Sequence, residues 1–254
     1  MKIAICIPCY GNPEAVFMQS LTSAISYFYE AEMELDGKPI KKSVETIIVS
    51  SSMLTESRHR LAAEAVNSGA DYMLWCDADH IFPPDAICRL WAHNLDIVGC
   101  NYPRRQTPTA PTAAKVIGTC DHDNLVYTTQ EKAHDCLVEE VDHLGFGLCL
   151  MKIGVFDALQ AQAEADGRDT FMPLFMFQPT ENHMGMIGED VYFFKKCRDA
   201  GLKVHLDHGL SWEVGHVNKQ ILTNAHAVAH RDKWGTRQKA TRDKFEARIA
   251  ELEA

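Results

Sequence analysis

No stretch of this 254-residue chain approaches the ~18 uninterrupted apolar residues that a membrane span requires. The apolar opening is too short for a signal peptide, and Pro8 and Asn12-Pro13 break it. These absences lead to the expectation of a cytoplasmic protein with no membrane partner. Positive charge is scarce as well. A formal net charge of -10 disfavours broad electrostatic adhesion to nucleic acid or anionic lipid, while leaving room for a local basic patch. The nine cysteines lack a paired spacing, and their odd number does not suit a disulfide framework. Cys6-Ile7-Pro8-Cys9 matches C-x-x-C, but no second pair and no helix start after Cys6 accompany it, so structural thiols are expected. Internal repeats and long linkers are also missing.

What the chain has is an alternation of apolar runs and helical stripes. Lys2 to Ile7 is β-rich and stops at the turn-forming Pro8-Cys9-Tyr10-Gly11-Asn12-Pro13. Val16, Phe17, Leu21, Ala24, Ile25 and Phe28 then recur at helical spacing. Further strands are expected at 45–50, 71–76 and 96–100, with helices from about Thr55 to Gly69 and from Pro83 to His93. Apolar strands joined by helical crossovers imply an α/β fold with a mainly parallel sheet. Ligands of such sheets bind beyond the carboxyl ends of the strands. The 8–13 loop, Ser50-Ser51-Ser52 and Asp77-Ala78-Asp79 all fall there.

The second half reads as more mixed. Short strands are expected at 114–118, 125–128, 136–141, 148–151 and 203–206, with helices from Val155 to Ala165 and from Gly188 to Ala200. Phe171 to Pro179 reads as a loop or a cover over the crevice. Residues 1–222 are expected as one domain, and 223–254 as a charged helical extension packed on it or on a partner.

Asp77-Ala78-Asp79 places two carboxylates one residue apart at a strand end, where both can turn toward one ion. Mg and Mn favour such oxygen ligands. The pattern alone is equally compatible with a helix cap; repelling acids delivered to a ligand-binding edge are what call for a cation. Gly145-Phe146-Gly147 would let backbone approach a ligand closely. Phe146, Trp212 and the 171–177 segment are candidates to stack on a sugar or base, with core packing as the alternative. His226 and His230 lie four apart but lack the H-E-x-x-H pattern, which points to a solvated helix face.

Together, the runs 54–62, 71–85 and 96–105, with Ile3 to Pro13 and Gly188-Glu189-Asp190, resemble the GT-A-fold glycosyltransferases. The likeness is strongest to the family 2-type enzymes frequent in bacteriophage and bacteria, and spans about residues 1–217. It implies a GT-A (Rossmann-like) fold: a mixed, mainly parallel sheet flanked by helices, here with a C-terminal helical tail. The implied activity is metal-dependent transfer of a hexosyl or pentosyl group from a nucleotide-sugar, UDP-sugar by default, to an acceptor hydroxyl. On this resemblance Asp77 and Asp79, flanking Ala78, hold Mn2+ or Mg2+ on the donor diphosphate. His216 completes the metal site, with His205, His208 or a purely structural role as alternatives. Pro8, Tyr10, Ser50 and Ser51 enclose base and ribose, and Gly147 lies toward the sugar and acceptor. Arg58 stands near the phosphates, where a planar and always charged guanidinium is suited.

Glu189-Asp190 matches the x-E-D signature and makes Asp190 the catalytic base of an inverting reaction, with Glu189 beside it. First-turn helix stabilisation and a retaining mechanism are the alternatives. The acceptor is expected to be a glycan or hydroxymethylated phage DNA, the latter drawing on Arg104, Arg105 and the cations of the tail. A phage-encoded enzyme would work in the host cytoplasm. A nucleotidyltransferase is the competing class, although the 8–13 loop carries no basic residue. An inactive nucleotide-sugar-binding module would have no need of acids at 77, 79, 189 and 190.

Overall fold

The first strand, β1 (Lys2–Cys9), is buried from Ile3 onward on both faces, so it belongs inside a sheet covered on both sides. The computed structural model, which describes residues 1–116, 123–167, 173–179, 185–218 and 221–253, contains that sheet. After β1 come α1 (Ala15–Glu30), the hairpin β2 (Glu34–Leu35) and β3 (Lys38–Pro39), β4 (Ser43–Ser50) and α2 (Leu54–Asn67). Then follow β5 (Tyr72–Cys76), β6 (His80–Ile81), α3 (Ala86–Ala92) and β7 (Ile97–Gly99). A second hairpin, β8 (Ala114–Val116) and β9 (Asp123–Leu125), leads through α4 (Gln130–His134) to β10 (Val138–Val141), β11 (Leu148–Lys152) and α5 (Gly154–Ala165). The remainder comprises β12 (Gln178–Pro179), β13 (Met186–Ile187), α6 (Glu189–Asp199), β14 (Val204–Asp207), α7 (His208–Glu213), β15 (Gly215–Val217) and β16 (Ile221–Thr223). Two helices close the chain, α8 (Asn224–Ala229) and α9 (Arg231–Glu253).

The central sheet has seven strands in the order β10-β14-β7-β11-β5-β1-β4. β4, β1 and β5 are parallel to one another, and β14 is parallel to β7. β11 runs antiparallel between β5 and β7, and β10 is antiparallel to β14. Alternate residues of β1 feed two cores. Ile3, Ile5 and Ile7 meet Phe17, Leu21 and Phe28 of α1 on one side. Ala4 and Cys6 join Leu61 and Ala65 of α2 and Phe193 of α6 on the other. The result is the mainly parallel α/β fold expected from the sequence, with helices on both faces.

Some local expectations shift. The strand expected at 125–128 forms at Asp123–Leu125 instead. Val126 O accepts from Asn101 Nδ2 at 2.8 Å, and Thr128 Oγ1 lies 2.9 Å from His208 Nδ1, so buried side chains hold this segment rather than a ladder. Residues 117 and 118 of the strand expected at 114–118, and Phe171 of the expected cover, lie outside the described residues. Phe175 is no cover at all. It is 1% exposed, stacked on Phe193 at 5.0 Å and edge-on to Trp75. His59 explains the descent of this segment, because its Nε2 accepts from the backbone N–H of Leu174 at 3.0 Å.

His226 and His230 are half-buried rather than solvated. His226 closes a capping box with Thr223, and His230 Nδ1 accepts from Thr109 N at 3.3 Å. Asn224 is buried and donates to Asn101 O and Ser211 O, tying α8 to the body. The eight described cysteines are free, Cys120 lying outside the described residues. Burial pushes the Cys6 thiol up to about 12, in keeping with a structural role. Among the described residues no helix is long and apolar enough to cross a membrane.

Glu139 on β10 gathers Lys115 at 2.8 Å, Lys132 at 2.7 Å and His208 at 3.0 Å, joining β8, α4 and α7 to the sheet edge. Burial alone would raise its carboxyl, but hydrogen bonds from these three groups outweigh it and hold the carboxyl at about 2. A lowered carboxyl stabilises the fold above its ordinary value near 4.5 and loses that contribution as pH falls toward 2. The melting-temperature deficit of Glu139→Gln should therefore be largest near neutrality and shrink steadily on acidification through this window. An unchanged deficit at about pH 2.5 would contradict the assignment.

Candidate functional site

The carboxyl ends of β1, β4 and β5 open into one pocket of about 400 Å³, lined by Pro8, Tyr10, Ser51, Ser52, Asp77 and Asp79, among others. Arg58, Arg105 and His216 reach it from α2, from the segment after β7, and from β15. The topology expected to bring three polar loops together does so. Tyr10 is 83% exposed at the rim. Ser50 is exposed at the end of β4, and its neighbours Ser51 and Ser52 form the pocket wall.

Arg58 lies deepest. Its guanidinium is buried between two acids from distant parts of the chain: Nε donates to Glu189 Oε1 at 3.0 Å and Nη2 to Asp77 Oδ1 at 3.2 Å. Its plane rests 4.6 Å from the Phe146 ring centre and 5.4 Å from that of Trp75. Burial would lower its pKa, but Asp77 and Glu189 outweigh this and keep it raised and charged. Burial, with the neighbouring Asp190 charge, lifts the Glu189 carboxyl above its ordinary value against the pull of Arg58. Asp190, half-buried in the first turn of α6, is in no ion pair among the described residues; its Oδ1 accepts from Val191 N at 2.8 Å. It is not part of the pocket wall.

Asp79 faces a different set of partners. His80 Nδ1 lies 3.1 Å and His216 Nε2 3.5 Å from its Oδ1, and Arg105 Nη1 lies 2.7 Å from its Oδ2. The two histidines are directly opposite each other in the β6–β15 pairing, and their rings stack at 4.3 Å. Tyr102 closes this box edge-on to both. Burial would raise the Asp79 carboxyl, yet the imidazoles of His216 and His80 against it hold it well below the usual carboxylate range. Burial lowers His80 and keeps it neutral.

The donor set fits a divalent cation. Oxygen of Asp79 and nitrogens of His80 and His216 lie within 4.8 Å of one another. His216 Nδ1–H donates to Pro103 O at 2.9 Å, which orients the ring and turns Nε2 toward Asp79. Both ring nitrogens of His80 are buried without an aligned hydrogen bond, the 3.1 Å approach to Asp79 being poorly directed. Glu14, Asp77 and Asp79 also outnumber Arg58 and Arg105 around the pocket, so a phosphate ligand would need added positive charge. His80 was not singled out in the sequence, although it directly follows the acidic pair. Asp77 is placed differently from Asp79, in the grip of Arg58.

Gly147 stands behind this cluster. Its N–H donates to Tyr102 Oη at 3.0 Å and its carbonyl accepts from Asp77 N at 3.2 Å. A Cβ there would run into the imidazole of His80 and the ring of Tyr102. The glycine thus makes room for protein side chains. Phe146 is fully buried in the core.

No protein-family model matches the chain, and no curated protein is similar to it in sequence. Solved structures do resemble it. A197 from STIV is 14% identical, with a TM-score of 0.53 over 89% of this chain and 92% of A197. GalNAc-T7, solved with UDP, GalNAc and Mn2+, is 14% identical, with a TM-score of 0.52 over 85% of this chain. The chain spans 44% of the GalNAc-T7 length. The fold is therefore that of the GT-A glycosyltransferases.

Gly147→Ala should cost about 1–3 kcal/mol by overpacking against His80 and Tyr102 and should reduce the thermal shift that a divalent cation gives if the donor set binds one. Gly154→Ala, where an added Cβ at the start of α5 meets nothing within 4 Å, is the control and should keep or raise stability and leave the cation response unchanged. Thermal melts with a Mn2+ titration test this; an unaltered Gly147→Ala would show that the cluster does not depend on the glycine.

Proposed function

We propose that the protein is a metal-dependent glycosyltransferase that moves a sugar from a nucleotide-sugar, UDP-sugar by default, to an acceptor hydroxyl. The observation that carries this reading is the Asp79–His80–His216 donor set at the carboxyl edge of a GT-A sheet, beside a pocket of nucleotide size. The likeness to GalNAc-T7, which was solved with UDP, GalNAc and Mn2+, supports it. Asp79 and His216 are the principal metal ligands in this reading, with His80 adjoining. A Mn2+ or Mg2+ ion there supplies neutralisation of the departing diphosphate.

The protein's own groups do the rest. Pro8, Tyr10 and Ser51 flank the nucleoside, with Ser50 at the same strand end. Asp77 stays oriented because Arg58 holds it, and Ala78 keeps the turn between the two acids small. Arg105, 54% exposed and resting on Asp79, is free to leave that carboxylate for a phosphate oxygen. Asp190 is the general base in this reading. It accepts the proton of the acceptor hydroxyl as that oxygen bonds to the anomeric carbon, while the bond from that carbon to the diphosphate breaks, inverting configuration. Glu189, locked to Arg58, sets the position of Asp190 one residue on.

In an assay of donor consumption and product formation, Asp79→Ala and His216→Ala should abolish metal-dependent turnover with the fold retained. Asp190→Asn should still bind nucleoside diphosphate with Mn2+ but lose about 10²–10⁴-fold in transfer rate. Normal rates in all three variants, or turnover unaffected by EDTA, would sink the proposal.

A further inference from the structure

A second cavity of about 590 Å³ lies between the β8–β9 hairpin, α4 and the start of α9, away from the acids of the donor pocket. In a chain of net charge -10, its wall has an excess of positive charge: Lys115, Lys132 and Arg231 against the single carboxylate of Glu139. Glu139 is shared between the two lysines. Arg231 takes part in no ion pair among the described residues; its guanidinium lies 4.6 Å from the ring centre of Tyr127. A cation left without a counter-ion at the mouth of a cavity is a recognition group for an anion.

The rest of the wall narrows the class. Tyr127 and Trp234 supply aromatic surface, and Asn124 and Gln238 supply amides that both donate and accept. The Trp234 Nε1–H is buried and meets no acceptor among the described residues. Gly235, in the body of α9, faces open space where a side chain would otherwise project, although glycine there weakens the helix. The volume is that of a small organic ligand rather than a bare ion. An open cavity whose positive charge is limited to Arg231 and the two Glu139-bound lysines suits a discrete oxyanion better than a nucleic-acid backbone, which asks for a long basic track.

We propose that this cavity is a second ligand site, taking a sugar that carries a phosphate or carboxylate group. The oxyanion sits with Arg231 and the lysine pair, and the sugar lies along the aromatic and amide wall. The site is independent of the donor pocket in its residues. It adjoins that pocket through the chain, since Arg104 lies over Trp234 at 5.8 Å while Arg105 rests on Asp79.

The test is calorimetric titration of the intact protein, in buffer free of phosphate and carboxylate, with glucose 6-phosphate and with glucuronate as probes. Saturable binding of at least one is expected; a preference for the first identifies a phosphate ester and for the second a carboxylate. Arg231→Gln should weaken it by about tenfold or more, the loss of a charge-assisted bond. Gly235→Leu places an apolar side chain on the cavity wall, where an added Cβ meets nothing within 4 Å, and is a better helix former, so it should block binding while keeping or raising the melting temperature. Lys239→Gln, outside the cavity, should change nothing. UDP binding with Mn2+, titrated in parallel, should be the same in wild type and Gly235→Leu. Its absence throughout would count against the glycosyltransferase reading alone. The proposal is overturned if neither probe binds, or if binding survives Arg231→Gln and Gly235→Leu but is lost in Arg105→Gln. Tight, salt-sensitive binding of duplex DNA that is untouched by Gly235→Leu, with no binding of either probe, would overturn it too.

Discussion

The buried guanidinium of Arg58 is the constraint on which the rest of the site depends. It joins α2 to the end of β5 through Asp77 and to the start of α6 through Glu189, over the rings of Phe146 and Trp75. A buried charge is tolerable only when paired, and removing one partner of such a pair costs about 3–5 kcal/mol. Here two carboxylates answer one cation. Each end of the proposed chemistry therefore inherits its position from the same side chain: the acidic turn at 77–79 and the Glu189-Asp190 turn. The aromatic cluster that carries Arg58 also receives Phe175 and Phe193, so the packing of one core layer bears directly on the geometry of the pocket.

The second constraint is steric. Tyr102 and His80 fit only because residues 145 and 147 have no side chains, and His216 is aimed by the Pro103 carbonyl. The acid pair thus divides. Asp77 is committed to a structural cation, whereas Asp79 faces two imidazoles and the exposed Arg105. Two carboxylates separated by a single residue have entered different electrostatic environments because β5 ends at Cys76 and the chain turns at 78–79.

Much of this was legible in the sequence. The doubly buried runs of β1 and β5 and the helical stripe of α1 are periodic signals, and they place the 8–13 loop, Ser51 and Asp77 to Asp79 at one sheet edge. The roles within the site were less legible. Arg58 read as a phosphate contact, since nothing local reveals that Glu189, 131 residues away, will claim it. Gly147 read as a ligand-facing glycine because its reason, the volume of His80 and Tyr102, is tertiary. The alignment of His80 with His216 comes from the pairing of two very short strands whose periodicity is too brief to detect. The cover reading at Phe175 and the strand expected at 126–128 fail for a related reason: buried hydrogen bonds that His59 accepts and that Asn101 and His208 share override local preference.

The proposed function requires one divalent ion to join this oxygen–imidazole cluster to the diphosphate of a nucleotide. Pulsed electron paramagnetic resonance of the protein with one equivalent of Mn2+ and UDP addresses it directly. A single Mn2+ species showing both ¹⁴N coupling from imidazole and ³¹P coupling from the diphosphate is expected, with the ¹⁴N coupling reduced or lost in His216→Ala. Mn2+ that binds without nitrogen coupling, or without phosphorus coupling when UDP is present, would contradict it.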